Sequence, residues 1–234
     1  MRRPSDFTSR LVRTAAPAGE MPPVESDLRH AILTGDQPPG TAVPIDEVAA
    51  FFGVSAIPVR EALKTLSGEG LLEHRPHVGY RVAKLTFLEF RELYDVRQAL
   101  ESAALRASVV NATAADDDRI RDSHGALGAA SAAGDREYAA ATRRFHFALI
   151  EPSRMHRLIR MYATAWNITE PARPMSRVPV RERAGLYDDH ERLVAAYLAR
   201  DVDRLITESD LHYAHLKAAI SEFADDPECF AAPA

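Results

Sequence analysis

The sequence predicts a mainly α protein: an N-terminal winged helix-turn-helix followed by a C-terminal six-helix antiparallel bundle. Three observations predict it. Residues 24–83 read helix, helix, turn, helix, hairpin, in that order. From Phe87 onward the apolar residues keep a helical period, with no convincing strand. That second region sustains no heptad over its whole length, which points to a compact bundle and not a coiled coil.

The elements follow in order. Residues 1–23 read as a flexible N-terminal arm, because Pro4, Pro17, Gly19, Pro22 and Pro23 interrupt a stretch without apolar period. A first helix is expected over Val24–Leu33, with Leu28, Ile32 and Leu33 on one face, stopped by Gly35 and the turn Pro38-Pro39-Gly40. A short helix should cover Ile45–Phe52 and close at Gly53. Ser55 is a good N-cap for a third helix, and Pro58 falls in its first turn, where a missing N–H costs little. Val59, Leu63 and Leu66 supply its buried face, with Arg60 and Lys64 on another. Gly68 and Gly70 end it. Strands at Leu71–Arg75 and Gly79–Ala83 flank a turn at Pro76–Val78.

After a linker at 84–86, a domain over 87–225 carries helices at roughly Phe87–Val110, Asp116–Ala132, Asp135–Ile150, Arg154–Ile168, Arg181–Arg200 and Val202–Phe223. Thr113, Asp135 and Ser153 mark helix starts, and Pro171, Pro174 and Pro179 make one longer connection. Residues 226–234 read as a C-terminal tail.

Composition narrows the class. Of 234 residues, 46% are hydrophobic and 27% charged, as in an ordinary globular protein. No apolar run approaches the ~18 residues of a membrane span, and Arg2 and Arg3 lack the apolar stretch of a secretory signal. The one cysteine, Cys229, excludes an internal disulfide, so a cytoplasmic setting is expected. Net charge is −5, and residues 1–83 balance nine Lys/Arg against ten Asp/Glu. Any DNA binding must therefore use a local basic surface and not bulk charge.

The run Val54-Ser55-Ala56-Ile57-Pro58-Val59-Arg60-Glu61-Ala62-Leu63, followed by Leu66 and Glu69-Gly70-Leu71-Leu72, strongly resembles the recognition helix of the GntR family of regulators. Pro39-Gly40, Val48-Ala49, Gly53-Val54-Ser55, Gly79 and Val82 fit the same pattern. The second region looks like the all-helical ligand domain (FCD, in its shorter VanR-like form) of the FadR-type branch. Arg97-x-x-x-Glu101 and Phe145-His146 match its motifs, and His190, Asp201 and His212 fall at its 11- and 22-residue offsets. The resemblance implies a DNA-binding transcription regulator, expected to be a repressor and not an enzyme. It would act as a homodimer on a double-stranded operator and respond to a small organic acid.

The implied DNA-binding residues are Ser55, Arg60 and Lys64, with His77, Gly79 and Arg81 on the wing. Arg60 and Lys64 lie one turn apart, so both can face one groove, and an arginine fork reads guanine or clamps phosphate. A plainer reading makes Arg60 a solvated charge paired locally. Two arginines usual in the family are absent: Ala56 follows the serine, and Ile45-Asp46 stand where a Glu-Arg pair is usual. The operator should then differ from those of relatives, the arm (Arg2, Arg3, Arg10, Arg13) should contribute, or DNA binding should be poor.

In the second domain the resemblance implies a divalent metal, Zn or Ni, held by His146, His190 and His212. Thr142 occupies the position of the family's aspartate, leaving three histidines and an open coordination position. Arg97 is the implied anchor for an effector carboxylate, with Thr142 beside it. Plainer readings remain: nine histidines make structural ones common, His215 is an alternative ligand expected to face outward, and Arg97 pairs with Glu101 on an exposed face. Tyr162 and Trp166 line a cavity or are plain core. Two rival functions stay open, a ligand-binding sensor that has lost specific DNA binding and a metal-dependent hydrolase.

Overall fold

The computed structural model describes residues 6–14, 23–131 and 134–232. It divides into two compact units: residues 1–87 with 167–173 and 225–234, and residues 88–166 with 174–224. Among the described residues, no helix is long and apolar enough to cross a membrane.

In the first unit α1 (Asp6–Ser9) precedes α2 (Val24–Leu33), α3 (Ile45–Phe52) and α4 (Ala56–Gly68). Apolar residues at helical spacing meet in one core: Leu28 and Ile32 from α2, Val48 and Phe52 from α3, and Val59, Leu63 and Leu66 from α4. Gly53 adopts a left-handed φ of 70° and closes α3, a conformation glycine takes without a Cβ penalty. Ser55 stands at the N-cap of α4 in extended conformation, yet its side chain makes no capping bond. Strands β1 (Leu72–Arg75) and β2 (Gly79–Val82) pair antiparallel with Leu72 opposite Val82 and Arg75 opposite Gly79. They are each one residue shorter than expected.

The N-terminal arm departs from expectation where it is described. Phe7 and Leu11 are buried in the core of this unit, the Gln37 side-chain amide donates to the Phe7 carbonyl at 2.8 Å, and Thr14 bonds Asp27 at 2.6 and 2.9 Å. The arm reading overlooked this apolar pair, and Pro4, Pro17, Gly19 and Pro22, on which it rested, lie outside the described residues. Arg2 and Arg3 lie outside the described residues. The tail is also held: Phe230 packs edge-on to Phe87 at 5.3 Å, and the Ala231 amide donates to the Leu85 carbonyl at 2.8 Å.

Among the described residues the second unit is built from six long helices, α5 (Phe87–Asn111), α6 (Ala114–Ala130), α7 (Asp135–Ile150), α8 (His156–Thr169), α10 (Val180–Leu198) and α11 (Val202–Ser221), with Phe87 and the last three residues of α8 counted in the first unit. Thr113 and Asp116 form a capping box at the start of α6, and the Asp201 side chain caps α11 by accepting from the Arg204 amide. Between α7 and α8 a 3-10 turn (Glu151–Ser153) ends at Arg154, whose φ of 56° is left-handed, so α8 begins two residues later than expected. The proline-rich connection holds a 3-10 turn (Glu170–Ala172) and the short α9 (Pro174–Arg177). Proline rigidly suits first turns, so these residues start short helices where a plain loop is expected. Helices α10 and α11, joined by a tight turn, pack together, as do α6 and α7. Gly128 lets α6 approach α10 closely, since a Cβ there would lie 2.8 Å from the Tyr187 hydroxyl.

Candidate functional site

Two sets of side chains have chemistry to offer, one in each unit. On α4 the buried face (Val59, Ala62, Leu63, Leu66) fixes which residues turn outward. Ile57, Arg60, Glu61, Lys64 and Thr65 form an exposed stripe at helical spacing. Lys64 Nζ pairs with Glu61 Oε1 at 2.8 Å, and that hydrogen-bonded carboxylate raises the lysine above its ordinary value. Among the described residues Arg60 makes no ion pair, unlike the locally paired reading. The wing turn places exposed His77 at a left-handed φ of 62° beside Gly79 at 97°. Arg81 is half-buried and donates to the Gly40 carbonyl at 3.0 Å. Arg75, at the end of β1, is the more exposed wing arginine and pairs with Glu73 at 3.0 Å. The sequence already put Arg75 beside the turn, but only the packed hairpin shows that it is more exposed than Arg81.

In the second unit, α7, α10 and α11 each contribute a buried imidazole. His146, His190 and His212 each offer a ring nitrogen, all within 4.8 Å of one another. Their ring centroids lie 4.5 to 5.3 Å apart. Among the described residues neither nitrogen of His190 has a hydrogen-bond partner, and the same is true of His212. Burial, reinforced by the neighbouring imidazoles, pushes His190 well below the ordinary histidine range. Burial also lowers His212, against the pull of Asp189. Both rings are therefore neutral near pH 7 and keep a lone pair for an ion. An unpartnered buried polar atom costs on the order of 1–3 kcal/mol, so these orphaned nitrogens fit a bound divalent cation. Three nitrogens suit Zn²⁺ or Ni²⁺ with coordination positions left open.

Carboxylates surround this set without joining it. Glu101 Oε1 meets His146 Nδ1 at 2.7 Å, while its Oε2 accepts from Tyr162 at 2.9 Å and from the Tyr213 hydroxyl. Burial opposes its ionisation, but His146 and the two hydroxyls bring Glu101 down to about 2. Asp189, itself buried, lies 3.4 Å from His212 Nδ1 without hydrogen-bond alignment, bonds His215 Nδ1 at 2.9 Å and also holds Arg192. His215 is 56% exposed and so faces outward, as expected. Asp189 escaped sequence reasoning because the contact joins two helices.

Arg97 is 2% exposed and Glu101 1%, so they are not an exposed helix pair. The guanidinium lies 3.6 Å from the Trp166 ring centroid and 4.6 Å from that of Tyr94. Its Nε has no hydrogen-bond partner among the described residues. Burial disfavours its charge, yet the neighbouring tyrosines and Glu101 raise its pKa further above an already basic value. Thr142 is buried on the His146 face of α7, but its hydroxyl donates to the Tyr138 carbonyl at 2.9 Å. That bond leaves only oxygen lone pairs to offer a ligand. Tyr162 and Trp166 are both fully buried around Arg97 and His146.

Residues 23–82 match the family model described as bacterial regulatory proteins, gntR family, and residues 92–215 match that of the FCD domain. The "Probable D-xylose utilization operon transcriptional repressor" of Paenarthrobacter nicotinovorans is 34% identical over 204 residues, covering 84% of this chain and 85% of that protein. The HTH-type transcriptional regulator McbR of Escherichia coli (strain K12) is 30% identical over 144 residues, 61% of this chain and 65% of that one. Among solved structures, E. coli McbR/YncC superposes with a TM-score of 0.75 at 25% identity, covering 85% of this chain and 95% of that one. A GntR transcriptional regulator from Rhodococcus sp. RHA1 shares the fold, with a TM-score of 0.74 at 21% identity over 85% of this chain and 96% of its own.

Proposed function

This chain belongs to the GntR family of transcription regulators and carries an FCD domain, and from that premise we propose a cytoplasmic, homodimeric repressor released from its operator by a small organic acid. The observation that carries the sensing role is the buried cluster of His146, His190 and His212 with orphaned nitrogens. Those three residues would hold a divalent cation, Zn²⁺ or Ni²⁺, which supplies Lewis acidity toward a carboxylate oxygen.

The chain's own residues do the rest. Glu101 fixes the His146 ring through Nδ1, and such a partner sets both tautomer and orientation. Arg97 offers a permanent charge with an unpartnered Nε, a match for an anionic ligand. Thr142 adds a weak polar contact at most. Operator contact falls to Arg60 and Lys64 on α4, to Ser55 ahead of it, and to His77, Gly79 and Arg81 on the wing. Two copies would read a palindrome. The ligand acts only as far as it binds one arrangement of the dimer more tightly than another. The chain passes between its two units at residues 87–88, 166–167, 173–174 and 224–225, which gives a ligand in one unit covalent routes to the other.

The test uses full-length protein without a histidine tag. Fluorescence anisotropy is measured on DNA from upstream of its own gene, beside a scrambled duplex, at near-physiological salt. Selective binding is expected, weakened about tenfold or more by Arg60→Ala. Organic acids that release the wild type should fail to release His190→Ala. Binding no better than to the scrambled duplex would favour a sensor without operator recognition. Protein that holds no metal and shows no thermal shift with Zn²⁺ or Ni²⁺ would overturn the metal assignment.

A further inference from the structure

The first turn of α4 carries an unusual side chain for a surface that meets DNA. Ile57 is 71% exposed, while Val59 and Leu63 two and six residues on are fully buried. It shares its outward stripe with Arg60, Glu61 and Lys64, all exposed. Its neighbour Ala56 is half-buried and offers no hydrogen-bonding side chain. Pro58 continues the apolar turn and adds no donor. Ile57 lies outside the packed core of its unit, and a β-branched residue gains nothing from an exposed helix position.

We propose that Ile57, with Ala56 behind it, reads a pyrimidine 5-methyl group in the major groove, next to a base pair read by Arg60. This rests on the operator-binding reading above. The N-terminal residues of a recognition helix are those that reach base edges. An aliphatic side chain there offers no hydrogen bond, so it gains only against the methyl of thymine or of 5-methylcytosine. Against guanine, or the bare amino edge of cytosine, it removes water from polar groups and replaces nothing. Attraction to a methyl and rejection of polar edges thus act in the same direction. Ala56 and Ile57 together therefore give the first turn of α4 an apolar edge suited to a methylated pyrimidine.

The experiment selects duplexes from a randomised library with the full-length protein. Each thymine of the selected half-site is then replaced by deoxyuridine, which removes only the methyl. Anisotropy at fixed salt should show about fourfold weaker binding per methyl removed at one position, the effect of losing one buried carbon. Ile57→Ser should abolish that discrimination, whereas Arg60→Ala weakens binding but keeps it. The thermal midpoint of Ile57→Ser should match the wild type, because the side chain is exposed. If the selected base is cytosine, C5 methylation should strengthen binding by a similar factor, which identifies methylcytosine as the source.

Equal affinity for thymine and uracil at every position, with no gain on cytosine methylation, overturns the proposal. So does a discrimination that survives in Ile57→Ser. Failure to select any duplex over scrambled DNA instead overturns the operator-binding reading, and this inference with it.

Discussion

Single side chains here act through partners that are distant in sequence. Asp189 touches both His212 and His215, and outer carboxylates of this kind set the orientation of a ligating ring. Asp189→Asn is expected to weaken Zn²⁺ binding about 10- to 100-fold, measured by competition with a chromophoric chelator; unchanged affinity would make the residue merely structural. The buried imidazoles also set a pH dependence for the metal-free protein. His190 and His212 are depressed below the unfolded value of 6.5. Below that value the unfolded chain takes up protons that the folded chain refuses. Stability is therefore full above about pH 6.5 and falls as pH drops below it. Glu101, lowered to about 2 from 4.5, adds a second loss as pH falls from 4.5 toward 2. Denaturant midpoints at pH 7.5 and 5.5 should differ in that direction, and less so in His190→Phe.

At the scale of elements, helix existence was legible and helix ends were partly so. The bounds of α2, α3 and α7 match the expected ones residue for residue, because apolar period and flanking Gly, Pro or acidic residues agree there. The start of α8 shifted because Arg154 takes a left-handed conformation that composition does not announce. α1 was missed, since four residues carry no period at all. Its packing makes a firm prediction. Phe7→Ala should destabilise the first unit by about 3 kcal/mol, the usual cost of emptying a buried aromatic site. A urea midpoint equal to that of the wild type would return this segment to a mobile arm. Thr113→Ala removes the capping box of α6 and should cost about 1 kcal/mol.

For the whole molecule, a bound cation and the folded state should stabilise each other. If the three histidines hold an ion only when folded, free metal at 100 times its Kd adds about 2.7 kcal/mol. Chelation should lower the midpoint of thermal unfolding, and Zn²⁺ or Ni²⁺ should restore it. His190→Ala should show neither response. An unchanged midpoint with and without chelator in the wild type would separate the histidine cluster from metal binding.

The sequence by itself determined the winged helix-turn-helix, the helical bundle and the three histidines. The first two rest on local information, periodicity and turn residues, whereas the histidines were singled out by the family resemblance that Phe145-His146 and the 11- and 22-residue offsets carry. Only the tertiary structure decided how those side chains are engaged. It buried Arg97 over Trp166, turned Glu101 onto His146, placed Asp189 beside His212, tied the Thr142 hydroxyl to its own helix and left Ile57 in solvent. The physical reason is that hydrogen bonding, desolvation and exposure depend on which helices meet and at what rotation. Residues as far apart as 101 and 213 meet only after the bundle has closed.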